Sequence, residues 1–269
     1  KMLMDFGIEP EEFKEEELLE WFKDIQLKQL TKVTEGIFAP WAFYKKDFQE
    51  INGHDPLYAP QSKEDSDIFN RFQLNGIKFV QTWGGCVYHM TCRGSRFADG
   101  AVRNPDGEVF MKNRETDEWL TQNNKASRNF VRKWGHFVKH DDLMKPLVPS
   151  KYDVGIITSD NNINNLRELE PWCSTIYCDS NLGQHYIKTE QPNTLIDLSK
   201  RVLPYNNEKQ NQVLVNIGNI FTQQDFQLIQ QLPEILDNNG EIGEFELGNL
   251  KISILGLDTF ENKLIVCKY

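Results

Sequence analysis

The sequence contains no long hydrophobic segment, no excess of positive charge and few cysteines. No apolar run approaches the roughly 20 residues that a membrane-spanning helix needs, and no basic start followed by an apolar stretch indicates a secretory signal. The 30 Lys and Arg residues are outnumbered by 40 Asp and Glu residues, which gives a formal net charge of -10. This balance argues against a general nucleic-acid binder, because such proteins gain affinity by neutralising phosphates with Lys and Arg.

The five cysteines are odd in number and lack the paired spacing of a metal site. Cys173 and Cys178 are separated by four residues, which is wider than a redox Cys-x-x-Cys motif. Unpaired thiols are typical of proteins in a reducing compartment. Together with the absence of a visible signal sequence, they predict a cytoplasmic location and no transmembrane segment.

The sequence does contain enough apolar material for a folded core. Its 269 residues are 39% hydrophobic and 12% aromatic, which suffices for one large domain or two ordinary ones. Pro146 and Pro149 coincide with a loss of helical periodicity, and this combination favours a linker. We therefore predict one domain over residues 1–145 and a second domain over residues 150–269.

The N-terminal domain shows three stretches of helical periodicity, which cover residues 9–30, 62–76 and 113–140. The second of these stretches has both a start and a stop signal, with Ser62 before an acidic first turn and Gly76 at the end. Elsewhere in this domain, apolar runs and turn residues predict a strand over 77–83, its continuation over 86–90, and a hairpin at Pro105-Asp106-Gly107.

The C-terminal domain combines short apolar runs with one clear amphipathic helix. That helix is predicted over residues 222–236, with Thr222 as its N-cap and Asp225 three residues further on. Strands are predicted over residues 152–158, 174–179, 212–218, 240–248, 250–257 and 263–269. This pattern predicts a small α+β domain, which suits an interaction or self-association module. Several of its polar residues match no recognised ligand spacing: Asp153, Asp160, Asp179 and His185.

Two acidic residues at the start of the second predicted helix could carry chemistry. Glu64 and Asp65 follow a loop, so a carboxylate in this first turn can face a cleft and take a proton from a hydroxyl group. A later strand delivers His89, whose neutral imidazole can bind a divalent metal or a diphosphate. Spacing alone leaves alternatives open, since the acidic pair could simply favour the helix dipole and His89 could be structural.

The segments GIFAPWAFYKKDFQEINGHDPLY and KEDSDIFNRFQLNGIKFVQTWGGCVYH surround these residues. Their order and spacing resemble the second half of family 2 glycosyltransferases with the GT-A fold. The matching elements are Lys45–Phe48, Asn52–Asp55, Glu64–Asp67, Asn75-Gly76 and Val87–His89. Because the segment Phe130–Gly135 also looks like the family's closing segment, the resemblance covers roughly residues 30 to 135.

The resemblance implies an α/β fold, namely a partial GT-A (Rossmann-like) half followed by the small α+β domain. It implies that Asp65 is the general base and that Glu64 helps to position the acceptor or the donor. His89 would contact a divalent metal (Mn or Mg) or the donor diphosphate. Arg93 and Arg96 follow His89 in a Gly-containing loop and could reach the same diphosphate, with a solvated loop pair as the alternative.

Aromatic residues of the same region are candidate stacking platforms for the acceptor sugar: Trp41, Trp83 and Tyr88. Core packing is the alternative for all three, because aromatic residues on adjacent strands usually pack together. A basic face of the predicted helix over 113–140 is interpreted as solvated, with contact to an anionic glycan as the alternative. It contains Lys125, Arg128, Arg132 and Lys133.

The predicted function is the inverting transfer of a sugar from a nucleotide-sugar donor to a glycan or another hydroxyl acceptor. The family's first half, which binds the nucleotide and carries an Asp-x-Asp metal pair, has no counterpart before Gly36. We therefore expect that a donor-binding segment is missing and that the isolated chain is inactive. The alternative is a non-catalytic glycan-binding or structural module derived from a glycosyltransferase scaffold.

Overall fold

The computed structural model describes residues 4–7, 10–88, 101–103, 109–111, 116–218 and 221–266. The helices are α1 (Glu15–Gln29), α2 (Lys45–Glu50), α3 (Glu64–Leu74), α4 (Asp117–Trp134), α5 (Ile163–Leu169), α6 (Ser180–Glu190) and α7 (Gln223–Asn239). The strands are β1 (Val33–Thr34), β2 (Gln81–Thr82), β3 (Ala101–Arg103), β4 (Val109–Met111), β5 (Val154–Thr158), β6 (Thr175–Cys178), β7 (Val202–Pro204), β8 (Val213–Ile217), β9 (Gly243–Leu247) and β10 (Leu250–Ile254). None of the helices in these segments is both long and apolar enough to cross a membrane.

The chain divides into two compact units, each assembled from several segments. Unit 1 consists of Lys1–Ala42, Lys78–Asn123 and Asp141–Lys145, and unit 2 consists of Phe43–Ile77, Asn124–His140 and Pro146–Tyr269. One of the boundaries follows Lys145, at the start of the predicted linker. The division of the sequence into domains at 1–145 and 150–269 stays a prediction.

Unit 1 combines α1, an aromatic cluster and two short antiparallel pairs of strands. Helix α1 lies within the predicted 9–30 helix, and its acidic first turn begins at Glu15, where the helix dipole favours negative charge. Phe6 is buried, and its ring centroid lies 5.7 Å from that of Trp21 in α1. β1 pairs with β2, so that Val33 is opposite Thr82.

The β-structure predictions in unit 1 have mixed outcomes. β3 pairs antiparallel with β4, which confirms the strands of the predicted hairpin, while its turn at Pro105-Asp106-Gly107 lies outside the described residues. The strand predicted over 77–83 is reduced to Gln81–Thr82, and residues 86–88 form no strand. The partner strand β1 has only two residues, so within the described segments the rest of this apolar run has no strand with which to pair.

Helix α3 begins later than the sequence predicts and ends where it predicts. Ser62 and Lys63 have left-handed backbone conformations, with φ of 83° and 71°, so the helix starts at Glu64 and Ser62 is not its N-cap. Gly76 has a φ of 75°, and its amide and the next one donate to carbonyls of the last turn. This arrangement is a Schellman C-cap, in which glycine adopts the left-handed conformation at little cost.

Unit 2 contains a six-stranded sheet with the order β7-β6-β5-β8-β10-β9. The first four strands in this order are parallel, and Ile156 of β5 is opposite Ile176 of β6 and Val215 of β8. β10 is antiparallel to both β8 and β9. The main hydrophobic core combines these strands with α5, α6 and α7. Burial of both faces explains the continuous apolar runs of the parallel strands.

The fold class is therefore mixed α/β, but the C-terminal segment is not the small α+β domain that the sequence pattern predicts. The strands predicted over 152–158, 174–179 and 212–218 are confirmed, and they form the parallel part of the sheet. Helices α5 and α6, which follow β5 and β6, have no predicted counterpart because these short helices, of 7 and 11 residues, show little apolar periodicity. The strand predicted over 263–269 is wrong at its start, since Glu261–Leu264 is a 3-10 turn, and residues 267–269 lie outside the described part.

Helix α7 begins with the predicted capping box. The Thr222 hydroxyl accepts a hydrogen bond from the Asp225 amide, and the Asp225 carboxylate accepts one from the Thr222 amide. Pro233 lies inside the helix, which continues to Asn239. The capping box is a contact between residues close in the chain, which is why the sequence alone locates it.

Candidate functional site

The first turn of α3 presents the two carboxylates that the sequence analysis singles out. Asp65 is exposed, whereas Glu64 is half-buried. The Glu64 Oε2 atom is buried and has no hydrogen-bond partner among the described residues. A buried carboxylate oxygen without a donor is costly. This oxygen is therefore a position at which a ligand hydroxyl or a water molecule would be stabilised.

The backbone immediately before Glu64 adopts a conformation that is rare outside glycine. Ser62 and Lys63 occupy the left-handed region in succession, and such residues are frequent at functional sites because the surrounding structure must hold them there. The pKa of Lys63 is lowered because burial outweighs the nearby charge of Glu64. The chain thus enters α3 through a constrained turn, which gives the carboxylates at its start a defined position.

A buried ion-pair network centred on Asp67 joins α3 to α4. Arg71 Nε donates to Asp67 Oδ2 at 2.8 Å, and both side chains are fully buried. The other carboxylate oxygen, Oδ1, accepts hydrogen bonds from Lys133 Nζ at 2.6 Å and from Trp134 Nε1 at 2.9 Å. Lys133 Nζ also lies 2.7 Å from Asp55 Oδ2. The two carboxylates and two cations balance each other, which is the condition for stable burial of charge.

The same network holds the loop that precedes α3. Asp55 Oδ1 accepts a hydrogen bond from the Leu57 amide at 2.9 Å, and Arg71 Nη1 donates to the Ile51 carbonyl at 2.7 Å. The sequence offers one signal for it, since an acid and a base four residues apart on a helix commonly pair. The contact between Asp55 and Lys133 spans 78 positions, so no local spacing could reveal it.

A second buried network, centred on Glu170, also involves α4. Glu170 accepts hydrogen bonds from Arg132 Nε at 2.8 Å, Arg201 Nε at 2.8 Å and the Tyr186 hydroxyl at 2.9 Å. Burial opposes ionisation of this carboxyl group, but Arg201 and Arg132 outweigh that effect and lower the pKa of Glu170 to about 2. Glu170 is therefore the anionic centre of the network.

The interpretation of the basic α4 face as solvated is wrong for two of its members. Arg132 and Lys133 are only 2% and 7% exposed, because each is a partner in one of the two networks. Arg128 is half-buried and donates to Glu190 Oε1 at 3.0 Å. The sequence shows that these residues are basic, but their burial depends on acids located far away in the chain.

Two of the predicted acceptor-site aromatics, Trp41 and Trp83, are half-buried residues of unit 1. Trp83 Nε1 donates to Thr34 Oγ1 at 3.0 Å, and Lys32 Nζ lies 3.8 Å from the centroid of the Trp83 ring. This cation–π contact covers one ring face. A role for Trp41 and Trp83 in acceptor binding stays a prediction.

The third aromatic residue, Tyr88, makes extensive contacts within unit 1. Its ring stacks on Phe13 with centroids 5.9 Å apart and lies edge-on to Phe6 at 5.5 Å. Its hydroxyl accepts a hydrogen bond from the Phe6 amide at 3.0 Å and donates to the Gly7 carbonyl at 2.5 Å. These contacts favour the packing alternative for Tyr88, and its role as an acceptor platform stays a prediction.

Three residues predicted to bind the donor diphosphate lie outside the described residues: His89, Arg93 and Arg96. In the segments that the structure describes, no group of three or more His, Cys, Asp or Glu residues could hold a metal ion. The predicted roles of His89 at a divalent metal and of the arginine pair at a diphosphate therefore stay predictions. Among the described site residues, Glu64 and Asp65 are neighbours in the chain and belong to unit 2, whereas Trp41, Trp83 and Tyr88 belong to unit 1.

A third group of buried charge contains only basic residues. Lys151 is buried, and its Nζ donates to the Arg132 carbonyl at 3.4 Å, without an ion pair to any carboxylate in the described segments. Burial, followed by the charge of Arg201, lowers the pKa of Lys151 to about 7. The neighbouring His136 is also buried, and this burial lowers its pKa to about 4. Both groups therefore oppose protonation in the folded state.

Replacing Lys151 with methionine is expected to raise the free energy of unfolding at pH 6 by about 1–3 kcal/mol. Because the folded-state pKa is about 7 and the ordinary value is 10.5, the unfolded chain binds more protons between these values. The cost of burying Lys151 thus grows as pH falls towards 7, and the gain is smaller at pH 9. Urea unfolding of the variant and the wild type at pH 6 and pH 9 measures this gain in stability. Lys200→Met, at an exposed position, is the control. A loss of stability at pH 6 would contradict the prediction.

Comparisons with known proteins add no family assignment. No protein-family model matches the chain, and no curated protein or solved structure matches it significantly. An α/β fold does not by itself specify an activity, because one fold supports many functions. The function must therefore be inferred from α3 and its surroundings.

Proposed function

We propose that the chain carries the acceptor-side, catalytic-base part of an inverting, nucleotide-sugar-dependent glycosyltransferase of the GT-A type. The observation that carries this proposal is the first turn of α3, where exposed Asp65 stands beside Glu64. The buried Oε2 atom of Glu64 has no hydrogen-bond partner in the part of the chain that the structure describes. The resemblance to family 2 glycosyltransferases implies that Asp65 is the general base, which supports the proposal. The constrained turn before the helix and the buried network beneath it support a site with fixed geometry.

Asp65 acts as the general base in the proposed reaction. Its carboxylate removes the proton from an acceptor hydroxyl, and the resulting oxygen attacks the anomeric carbon of the donor sugar. The bond between that carbon and the nucleotide diphosphate breaks at the same time, and the diphosphate leaves with the electron pair. Because the attack is opposite the leaving group, the configuration at the anomeric carbon is inverted.

Glu64 positions the substrate in this scheme. Its Oε2 atom accepts a hydrogen bond from a second hydroxyl of the acceptor or from the donor sugar, which removes the cost of leaving a buried oxygen unpaired. An Oε2 atom satisfied only by bound substrate contributes to orientation, and orientation can supply a large part of the rate enhancement of a two-substrate reaction. A divalent metal, for which His89 is the predicted ligand, would offset charge on the leaving diphosphate.

Replacing Asp65 with asparagine is expected to lower transfer by a factor of about 10²–10⁴, because the amide cannot accept the hydroxyl proton. The assay uses the full-length protein that contains this chain, a panel of UDP-, GDP- and dTDP-sugars with Mn²⁺ or Mg²⁺, and an array of glycan acceptors. Asp117→Asn is the matched control, since Asp117 is an acid in the first turn of another helix, α4.

The outcomes of this experiment separate the two functional hypotheses. Near-normal turnover by Asp65→Asn, with folding intact, would show that another group is the base. An absence of turnover with every donor, accompanied by glycan binding that needs neither nucleotide nor metal, would favour the non-catalytic glycan-binding module.

A further inference from the structure

The four parallel strands of unit 2 create a topological switch point beside β5. β5 leads through α5 to β6 on one side, and β8 lies on its other side. The strand order thus reverses at β5, because the chain passes through β6 to β7 on one side and then returns to β8 on the other. In open α/β sheets, such a reversal leaves a crevice at the carboxyl ends of the strands. Ligands of open α/β sheets bind in this crevice. The residues that follow β5, β6 and β7 are therefore placed where a ligand is expected.

Asp179 follows β6 directly and is held in place by α6. Its Oδ1 atom accepts hydrogen bonds from the amides of Asn181 at 2.9 Å and Leu182 at 3.0 Å. Its Oδ2 atom has no hydrogen-bond partner among the residues described here. An acid at the end of the second strand, about 20 residues after the first strand, is the position that takes the ribose hydroxyls in nucleotide-binding α/β folds.

Tyr205 follows β7 and spans the carboxyl ends of three strands. Its amide donates to the Cys178 carbonyl of β6 at 3.1 Å, and its hydroxyl donates to the Thr158 carbonyl of β5. Burial raises the pKa of Tyr205, and the nearby Cys178, Asp179 and Asp160 add to this effect. Because Cys178 directly precedes Asp179, the hydrogen bond of the Tyr205 amide places Tyr205 close to Asp179. Tyr205 as a residue remains 36% exposed, and an exposed aromatic residue can provide a stacking surface for a nucleobase.

The charges at this edge disfavour a phosphate. The β5–α5 loop, residues 159–162, contains no glycine, so it lacks the Gly-rich turn whose amides cradle a pyrophosphate. Asp160 in this loop accepts hydrogen bonds from Asn162 and Asn165. The nearby Lys209 ammonium donates to backbone carbonyls. A phosphate would therefore meet two carboxylates, which repel it.

We propose that the carboxyl ends of β5, β6 and β7 bind a phosphate-free ribonucleoside. Asp179 accepts hydrogen bonds from its 2′ and 3′ hydroxyls, and Tyr205 stacks on its base. The negative charge of the edge suits a neutral or positively charged nucleoside. The site is independent of the proposed sugar transfer, because it uses none of the residues of α3. It gives the polar residues after β5 and β6, which match no ligand spacing in the sequence, a shared function.

Calorimetric titration of the full chain with adenosine, cytidine, guanosine, uridine and S-adenosylmethionine tests the proposal. At least one of them is expected to bind saturably at about 1 mM or below. The matching 2′,3′-dideoxynucleoside and 5′-monophosphate are expected to bind at least tenfold more weakly. An absence of binding by all five probes, equal binding of the dideoxy form, or tighter binding of the monophosphate would overturn the proposal. So would a preference for methyl glucoside, which offers vicinal hydroxyls without a base.

Two matched variants locate the binding site. Asp179→Asn retains a side-chain oxygen that can cap α6 but removes the carboxylate, and it is expected to weaken nucleoside binding at least tenfold. Asp197→Asn changes an acid that caps the turn Leu198–Lys200 in the same way, at the opposite end of β7, and is expected to leave binding unchanged. Unaltered affinity in Asp179→Asn, with circular dichroism showing an intact fold, would overturn the assignment.

Discussion

Replacing Lys133 with methionine is expected to lower the free energy of unfolding by about 3–5 kcal/mol. The Lys133 ammonium lies between the Asp55 and Asp67 carboxylates, at 2.7 and 2.6 Å. Without it, Asp67 keeps its ion pair with Arg71, whereas Asp55 loses the ammonium at 2.7 Å. Buried charge that has lost its partner can be relieved neither by water nor by salt, so the full cost falls on the folded state.

Urea unfolding followed by tryptophan fluorescence measures this loss, and Trp134 is a suitable reporter because its indole binds Asp67. Lys139→Met is the matched control, since Lys139 pairs with Glu234 in a partly exposed ion pair. Surface pairs of this kind contribute less than about 1 kcal/mol. A loss of less than about 1 kcal/mol for Lys133→Met would mean that the network does not hold α3 to α4.

Replacing Glu170 with glutamine is expected to cost about 3–5 kcal/mol of the free energy of unfolding, although the side chain keeps its shape. The neutral amide no longer balances the charges of Arg132 and Arg201, and its NH₂ group faces donors where the carboxylate accepted hydrogen bonds. Glu168→Gln is the control, because Glu168 is an exposed acid of the preceding helix, α5. Equal stability of the two variants would contradict the central role of Glu170.

The same substitution is expected to change the pH dependence of stability. The pKa of Glu170 is about 2 in the folded protein, against an ordinary value of 4.5. Between these values the unfolded chain binds more protons, so the stability contributed by Glu170 is complete above pH 4.5 and is lost as pH falls towards 2. Between pH 5 and 3, the free energy of unfolding should fall less steeply with pH for Glu170→Gln than for the wild type. Parallel slopes would show that other acids control acid unfolding.

The candidate site was only partly accessible from the sequence. Glu64 and Asp65 could be selected because an acidic pair at a helix start and a family resemblance coincide there. The left-handed turn at Ser62 and Lys63 could not be predicted, because non-glycine residues enter that region only when surrounding contacts force them to. The sequence also could not predict that Glu64 Oε2 is buried without a partner among the described residues, since the burial of one atom depends on everything packed around it.

The sequence by itself determined the features that depend on residues close in the chain. These are the Gly76 stop of α3, the Thr222 capping box of α7 and the apolar runs that became β5, β6 and β8. Capping contacts and the continuous apolar runs of buried strands are local, so they leave a readable pattern. The tertiary structure alone decided that β5, β6, β7 and β8 are parallel and which charged residues are buried. It also placed Asp179 and Tyr205 together at the carboxyl ends of the parallel strands. Strand order and long-range charge pairing produce no periodic pattern in a sequence, so the sequence could not predict them.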